Sequence, residues 1–155
     1  MRRNDKQIHD PKIITEMLEK SELCRIAMVD NGEPYIIPLN FGYKDNIIYA
    51  HSAPIGRKIE ILQRSNRVCF EILFSNELVR GEQACNWGTK FRSIIGYGVV
   101  QIISETERKK TGMDIILSKY GGAQKNSYDE KLLDKTVLLE ITIESITAKQ
   151  SGKWE

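Results

Sequence analysis

The sequence predicts a mainly β domain, an antiparallel barrel or sandwich with helices packed outside it. Three observations predict it: about six β-branched or aromatic runs recur along the chain, short turns join most of them, and few stretches carry helical spacing. The 155 residues are the size of one domain, large enough to bury a single core, and no linker, internal repeat or low-complexity tract divides residues 1–155.

The elements follow in order. Asp10 before Pro11 is a helix start, a side chain to cap free amides and a ring preset for the first helical position. Ile13, Ile14, Met17 and Leu18 then share a face, so a helix is expected over roughly residues 11 to 20. "LCRIAMV" and "YIIPLNFGY" are strand runs around Asn31-Gly32, a pair that tolerates the positive φ of a tight hairpin. The turn "KDN" leads into "IIYAH", completing a three-stranded meander. Ile59 and Leu62 mark a short helix over 56–65, after which "RVCFEILF" resumes strand character. Ser75 to Gly88 reads as polar and irregular. "KFRSIIGYGVVQII" reads as a long strand bent at Gly96 and Gly98. Ser104 with Glu107 makes a capping box for a helix bearing Met113, Ile116, Leu117 and Tyr120 and ending at Gly121-Gly122. A short helix over "YDEKLLDK" and a last strand with Val137, Leu139, Ile141 and Ile143 alternating close the fold.

Composition narrows the function. No apolar stretch approaches the roughly 20 residues that span a bilayer, and no signal-peptide core follows the basic start, so a cytoplasmic protein is expected. Cys24, Cys69 and Cys85 suit neither a disulfide framework nor zinc spacing. Cys24 and Cys69 lie in apolar runs and read as core, and with only His9 and His51 available no metal site is expected. A net charge of +2 with interspersed signs argues against nucleic acid as a partner.

Three clusters carry candidate chemistry. His51, Ser52, Gly56, Arg57 and Lys58 fall where a strand feeds a helix, and a helix start with free amides and two cations favours an anion such as a terminal phosphomonoester. In "PLNFGY", Pro38 marks an edge strand whose free backbone, with the Asn40 amide, suits the polar rim of a planar heterocycle. In "NWGTKFRSIIGYG", Trp87, Thr89, Arg92, Ser93 and Tyr97 put aromatics and an arginine where a ring can stack. Each also has a plain structural reading, as solvated cations, an ordinary edge strand and aromatic core.

Taken together, "CRIAMVDNGEPYIIPLNFGYKDNIIYAHSAPIGRKIEILQRSNRVCFEI" and "NWGTKFRSIIGYG" resemble the pyridoxamine 5′-phosphate oxidase-related, FMN-binding split-barrel family, in its nitroimidazole-resistance (5-nitroimidazole reductase) branch. The likeness runs from "MRRNDKQIHDP" to "ITAKQSGKW", with "HSA…GRK" its most specific motif. It implies a six-stranded antiparallel split β-barrel forming a homodimer, with FMN in clefts at the subunit interface. It implies that His51, Ser52, Arg57 and Lys58 hold the phosphate and that Pro38, Leu39, Asn40 and Phe41 line the isoalloxazine. Thr89, Arg92 and Ser93 are further cleft candidates, with Trp87 and Trp154 closing it. An Arg-rich carboxyl-terminal substrate segment is missing, so vitamin B6 synthesis is disfavoured.

The expected function is that of an FMN-dependent oxidoreductase acting on a small planar electron-poor acceptor such as a nitroimidazole. Flavin chemistry asks little of the protein beyond binding and orientation. No catalytic acid stands out, and if a proton donor is needed His51 is the candidate. The competing reading is a flavin- or haem-binding module without turnover.

Overall fold

The computed structural model describes residues 3–123 and 125–154. The chain runs through β1 (Gln7–Ile8), α1 (Pro11–Lys20), β2 (Leu23–Asp30), β3 (Glu33–Asn40), β4 (Gly42–Lys44) and β5 (Ile47–Ser52). It continues through α2 (Arg57–Arg64), β6 (Arg67–Val79), β7 (Gly88–Ile103), α3 (Thr106–Lys119), α4 (Glu130–Asp134) and β8 (Val137–Ser151).

Two dipeptides make the tight hairpins. Asn31 and Gly32 take φ of 52° and 91°, and Asp45 and Asn46 take 51° and 64°. Positive φ at both central positions matches the twist of the flanking strands, so β2 folds back on β3 and β4 on β5. All pairings are antiparallel, in the order β3-β2-β6-β7-β8-β5-β4, with β1 added to β8. β3 and β4 are separated by Phe41 alone yet lie at opposite ends of that order. Neighbours in sequence are neighbours in space, so the sheet must curl until its two ends meet, and β3 and β5 touch across the seam. The barrel is closed by one residue of chain rather than by a ladder.

The inside is filled by alternate residues of each strand. Phe70, Ile72, Ile94 and Ile141 are fully buried there, and α1 adds Met17 and Leu18 to the same core. Burying a side chain of that size contributes about 1.5–3 kcal/mol. Gly96 and Gly98 sit where β7 is approached from inside: a Cβ on Gly96 would lie 2.2 Å from Phe70 Cζ, and one on Gly98 2.5 Å from the Thr142 carbonyl. β8 carries an extra residue, Glu144, where it passes Tyr97 and Gly98, and this bulge adds a bend at the glycines of β7. α3 lies outside the barrel and is seated by Gly112 against Leu138.

Five expectations need correction. The three-stranded meander is not formed, because β5 pairs with β4 and β8 and has no ladder with β3. Eight strands are present, not six, because "YIIPLNFGY" breaks at Phe41 into β3 and β4 and a two-residue strand precedes α1. Ser75–Val79 is strand, since β6 runs on in register with Gly88–Arg92; ladder bonds, not apolar side chains, hold this arm. The α3 cap is Glu105, whose carboxylate accepts from the N–H groups of Glu107 and Arg108, in place of the Ser104–Glu107 box. Cys24 is buried, its thiol pushed up to about 12 by burial, whereas Cys69 is only half-buried on the outer face.

Gly96→Ala is expected to lower stability by about 1–3 kcal/mol, because the new methyl must displace the Phe70 ring or the β8 backbone. Calorimetry should show a fall in Tm of roughly 2–4 °C for each kcal/mol. Gly88→Ala, with nothing within 4 Å of its Cβ position, is the matched control.

Candidate functional site

The strand-to-helix corner between β5 and α2 is built with its donors left open. Gly56 occupies the N-cap with φ 117° and supplies no side-chain cap. Its carbonyl accepts from Ile59 and Glu60, while the N–H groups of Arg57 and Lys58 have no partner among the described residues. Such amides, with the helix dipole behind them, favour an anion. His51 is the last residue but one of β5. Burial first, and then the charge of Lys58, hold its imidazole below the usual 6.5. The two groups therefore oppose each other, and an anion between them would relieve that opposition. Lys58 makes no ion pair among the described residues. Ser52 is buried, and its hydroxyl donates to the Ala53 carbonyl at 2.9 Å, a bond it must exchange to donate to an anion.

Arg57 is placed differently from its neighbour. Its Nε donates to Asp30 Oδ2 at 2.9 Å and its guanidinium lies 4.6 Å above the Tyr35 ring. Asp30 Oδ1 also accepts from Arg64 at 2.6 Å, so one carboxylate braces both ends of α2. Only the outer guanidinium nitrogens of Arg57 remain for another anion. The sequence marked Asp30 only as a residue before a turn, and Tyr35 only as part of a strand.

Pro38, Leu39 and Asn40 end β3, and β3 lies at the sheet edge as Pro38 predicts. The hairpin register makes Asp30↔Glu33 the hydrogen-bonded closing pair, so residues 34, 36, 38 and 40 fall at the alternate pairs and turn their backbone groups outward. Two of those four are proline, which leaves the edge with carbonyls and the N–H groups of Ile36 and Asn40. Phe41 is fully buried, and its ring carries the Lys119 ammonium 3.2 Å from its centre, so it offers the seam backbone and no side-chain surface. Lys119 Nζ also donates to the carbonyls of Leu18 and Ser21, both at 2.8 Å. Tyr120 places its hydroxyl among Glu22, Asn40 and Phe41. Neither residue was singled out from the sequence as part of a site.

The β7 candidates do not form one cluster. Arg92 points inward and is buried, its Nε donating to Gln150 at 3.2 Å and its guanidinium 4.1 Å from the Trp154 ring. Ser93 faces the opposite side of the sheet, and Thr89 is exposed on the outer arm. Trp154 thus lies against its own chain, while Trp87, near the tip of the arm, is exposed and donates to the Gly81 carbonyl. What the fold does unite is the β5–α2 corner and the end of β3, on the two sides of one seam.

An antiparallel barrel split at one seam, with an uncapped helix start on one side and an open strand edge on the other, defines the class of split barrels. The chain belongs to the pyridoxamine 5′-phosphate oxidase family, whose pattern matches residues 10–150. Among solved structures it is similar to a protein of Bacteroides thetaiotaomicron VPI-5482 provisionally described as a 5-nitroimidazole antibiotic resistance protein. The two share 31% identity over 93% of this chain and 86% of that one, with a TM-score of 0.82. Two more distant structures show the same fold. The flavocytochrome Anf3 of Azotobacter vinelandii is 19% identical over 99% of this chain and 72% of its own, with a TM-score of 0.84. The FAD and haem binding protein of Mycobacterium smegmatis is 19% identical over 96% and 75%, with a TM-score of 0.85. No curated protein matches the chain. Among the described residues no helix is long and apolar enough to cross a membrane.

Lys119 gives the seam a pH dependence. Burial brings its ammonium down from 10.5 to about 7. Between those values the unfolded chain holds a proton that the folded one lacks, so this group's contribution to stability grows as pH rises through the window and is lost as pH falls through about 7. Denaturant titrations at about pH 7 and about pH 9.5 should show a rise in stability that Lys119→Met flattens. An equal rise in the variant would mean that other groups carry it.

Proposed function

We propose that the chain is an FMN-binding flavoprotein that passes electrons to a small, planar, electron-poor acceptor such as a nitroimidazole. The observation that carries this reading is the uncapped start of α2, whose Arg57 and Lys58 amides have no partner among the described residues, with the charge of Lys58 acting on His51 and with Ser52 at the same β5–α2 corner. Hydroxyl, imidazole, ammonium and amide donors are the set that a phosphate monoester dianion needs. Family membership and the resistance-protein relative support the same assignment.

Lys58, His51, Ser52 and the amides of Arg57 and Lys58 would hold the phosphate, with the outer nitrogens of Arg57 beside them. Arg57 is braced rather than free, so its orientation depends on Asp30 and Tyr35. The outward carbonyls and amides of β3 suit the polar rim of the isoalloxazine. When bound, the flavin supplies hydride and single-electron chemistry. The chain's part is to orient it and leave one face open to the acceptor. His51, below its usual pKa, is neutral near pH 7 and so is a weak source of a proton there.

A homodimer belongs to this reading. Ile36, Ala27, Cys69 and Tyr97 form one row across the outer face of β3, β2, β6 and β7, with Val29 and Ile95 exposed beside it. A groove of about 380 Å³ runs there, lined by Ala27, Val29, Pro34 and Tyr97 among others. Apolar surface of that extent favours a second copy of the chain.

The purified protein is expected to be yellow, or to become so with FMN; colourless protein that fails to take up FMN sinks the proposal. Lys58→Ala with Arg57→Ala should weaken FMN about 10- to 100-fold, the worth of one charge-assisted bond, and leave riboflavin nearly unchanged. Equal losses for both ligands would show that these cations do not read phosphate. Reduced, anaerobic protein should be reoxidised by a nitroaromatic, and a flavin that stays reduced would favour a binding module without turnover.

A further inference from the structure

The hydroxyl of Tyr120 stands in for a rung of the β2–β3 ladder. The register pairs Leu23 with Asn40, so the next residues, Glu22 and Phe41, would face each other in a hydrogen-bonded pair if the ladder continued. Instead the phenol lies between them, donating to the Glu22 carbonyl and accepting from the Phe41 N–H at 3.1 Å. It also accepts from Asn40 Nδ2 at 3.2 Å. One hydrogen and two lone pairs are then all used.

This has a consequence for Asn40. Because the phenol's only hydrogen goes to Glu22, its oxygen can act toward Asn40 only as an acceptor, and the amide must turn its NH₂ inward. The second hydrogen of that NH₂ lies toward the Glu22 carbonyl at 3.4 Å, so the amide is held from two sides. Asn40 Oδ1 is left with no partner among the described residues, on an exposed side chain at the end of the open edge of β3. An amide free to flip would present donor or acceptor; this one presents an acceptor.

We propose that Tyr120 is a positioning residue that fixes Asn40 as a hydrogen-bond acceptor, selecting a planar ligand whose rim carries an imide N–H. The inference rests on the flavin reading above, in which that rim is the pyrimidine side of the isoalloxazine, whose N3–H is the ring's one donor in the oxidised state. Tyr120 does not touch the ligand; it acts through Asn40. It sits directly after α3, held in place by the Gly121 and Gly122 turn, so the α3 terminus sets what the far edge of the sheet can bind.

The test compares binding of FMN and N3-methyl-FMN by fluorescence quenching. The wild-type protein is expected to prefer FMN by about 10-fold, the worth of one buried hydrogen bond. In Tyr120→Phe that preference should fall toward unity, while the ratio of FMN to riboflavin affinity, set at the phosphate end, stays as in the wild type. Asn40→Ala, on an exposed side chain, should lose the preference in the same way and covers the case in which Tyr120→Phe fails to fold. Retention of the preference in either variant, or its absence from the wild type, overturns the proposal while leaving flavin binding intact. A wild-type protein that binds neither ligand overturns the flavin reading and this inference with it.

Discussion

The barrel depends on how the chain crosses its seam at Phe41. A strand leaving one edge of a sheet and joining the opposite edge must break its ladder, and a broken ladder leaves backbone groups without partners. Here the groups are recovered by side chains from α3. The Tyr120 hydroxyl takes the place of the missing rung, and Lys119 satisfies carbonyls at the end of α1 while covering the Phe41 ring. Gly42 completes the crossing, because a Cβ there would lie 2.8 Å from the Ile115 carbonyl carbon. The helix can therefore press its backbone against the start of β4. Fold closure and helix docking are one event at this point, and α3 acts as the clasp.

The α2 corner shows the opposite economy. Where the seam recovers the Glu22 carbonyl and the Phe41 N–H through Tyr120, the helix start is left uncapped, and its charges are arranged in two sets with different partners. Asp30 pairs with both Arg57 and Arg64 and so fixes the helix to the end of β2. Its carboxylate is mostly screened from solvent, so these contacts weigh more than exposed pairs do. Lys58 makes no such ion pair among the described residues, and its charge acts on His51 instead. A helix anchored by one cation can hold the other in place without collapsing on it, which is the condition for a preformed anion site.

Sequence reading succeeded where local chemistry decides. Asn31-Gly32 and Asp45-Asn46 dictate their hairpins through φ alone, and Asp10-Pro11 sets the first turn of α1, whose cap accepts from Lys12. The start of α2 after Gly56 was legible for the same reason, whereas a role for its cations came from the family resemblance and stays a proposal. It failed where a distant partner decides. Ser75, Asn76 and Glu77 look like loop residues, and only pairing with β7 makes them strand. Tyr120 looks like one more apolar position on a helix, and its partners lie about 80 and 98 residues away in sequence. Asp30 reads as a turn residue until α2 is folded over it. Glu105 won the cap from Ser104 because its longer carboxylate reaches two amides at once.

The edge of β3 joins these two regions into one argument about exposure. An open edge invites another strand, and Pro34 and Pro38 fall at two of the four outward positions, so a full ladder cannot add there. The same prolines leave every outward carbonyl in place. The edge therefore rejects strand addition yet keeps acceptors, with the fixed Oδ1 of Asn40 at its end. A surface rich in acceptors and poor in donors selects ligands whose rims carry N–H groups. On the function proposed above, the donors of α2 at the other side of the seam would take the anion. A molecule with an imide at one end and a phosphate at the other satisfies both sides at once, and neither end of the site alone would distinguish it from many simpler compounds.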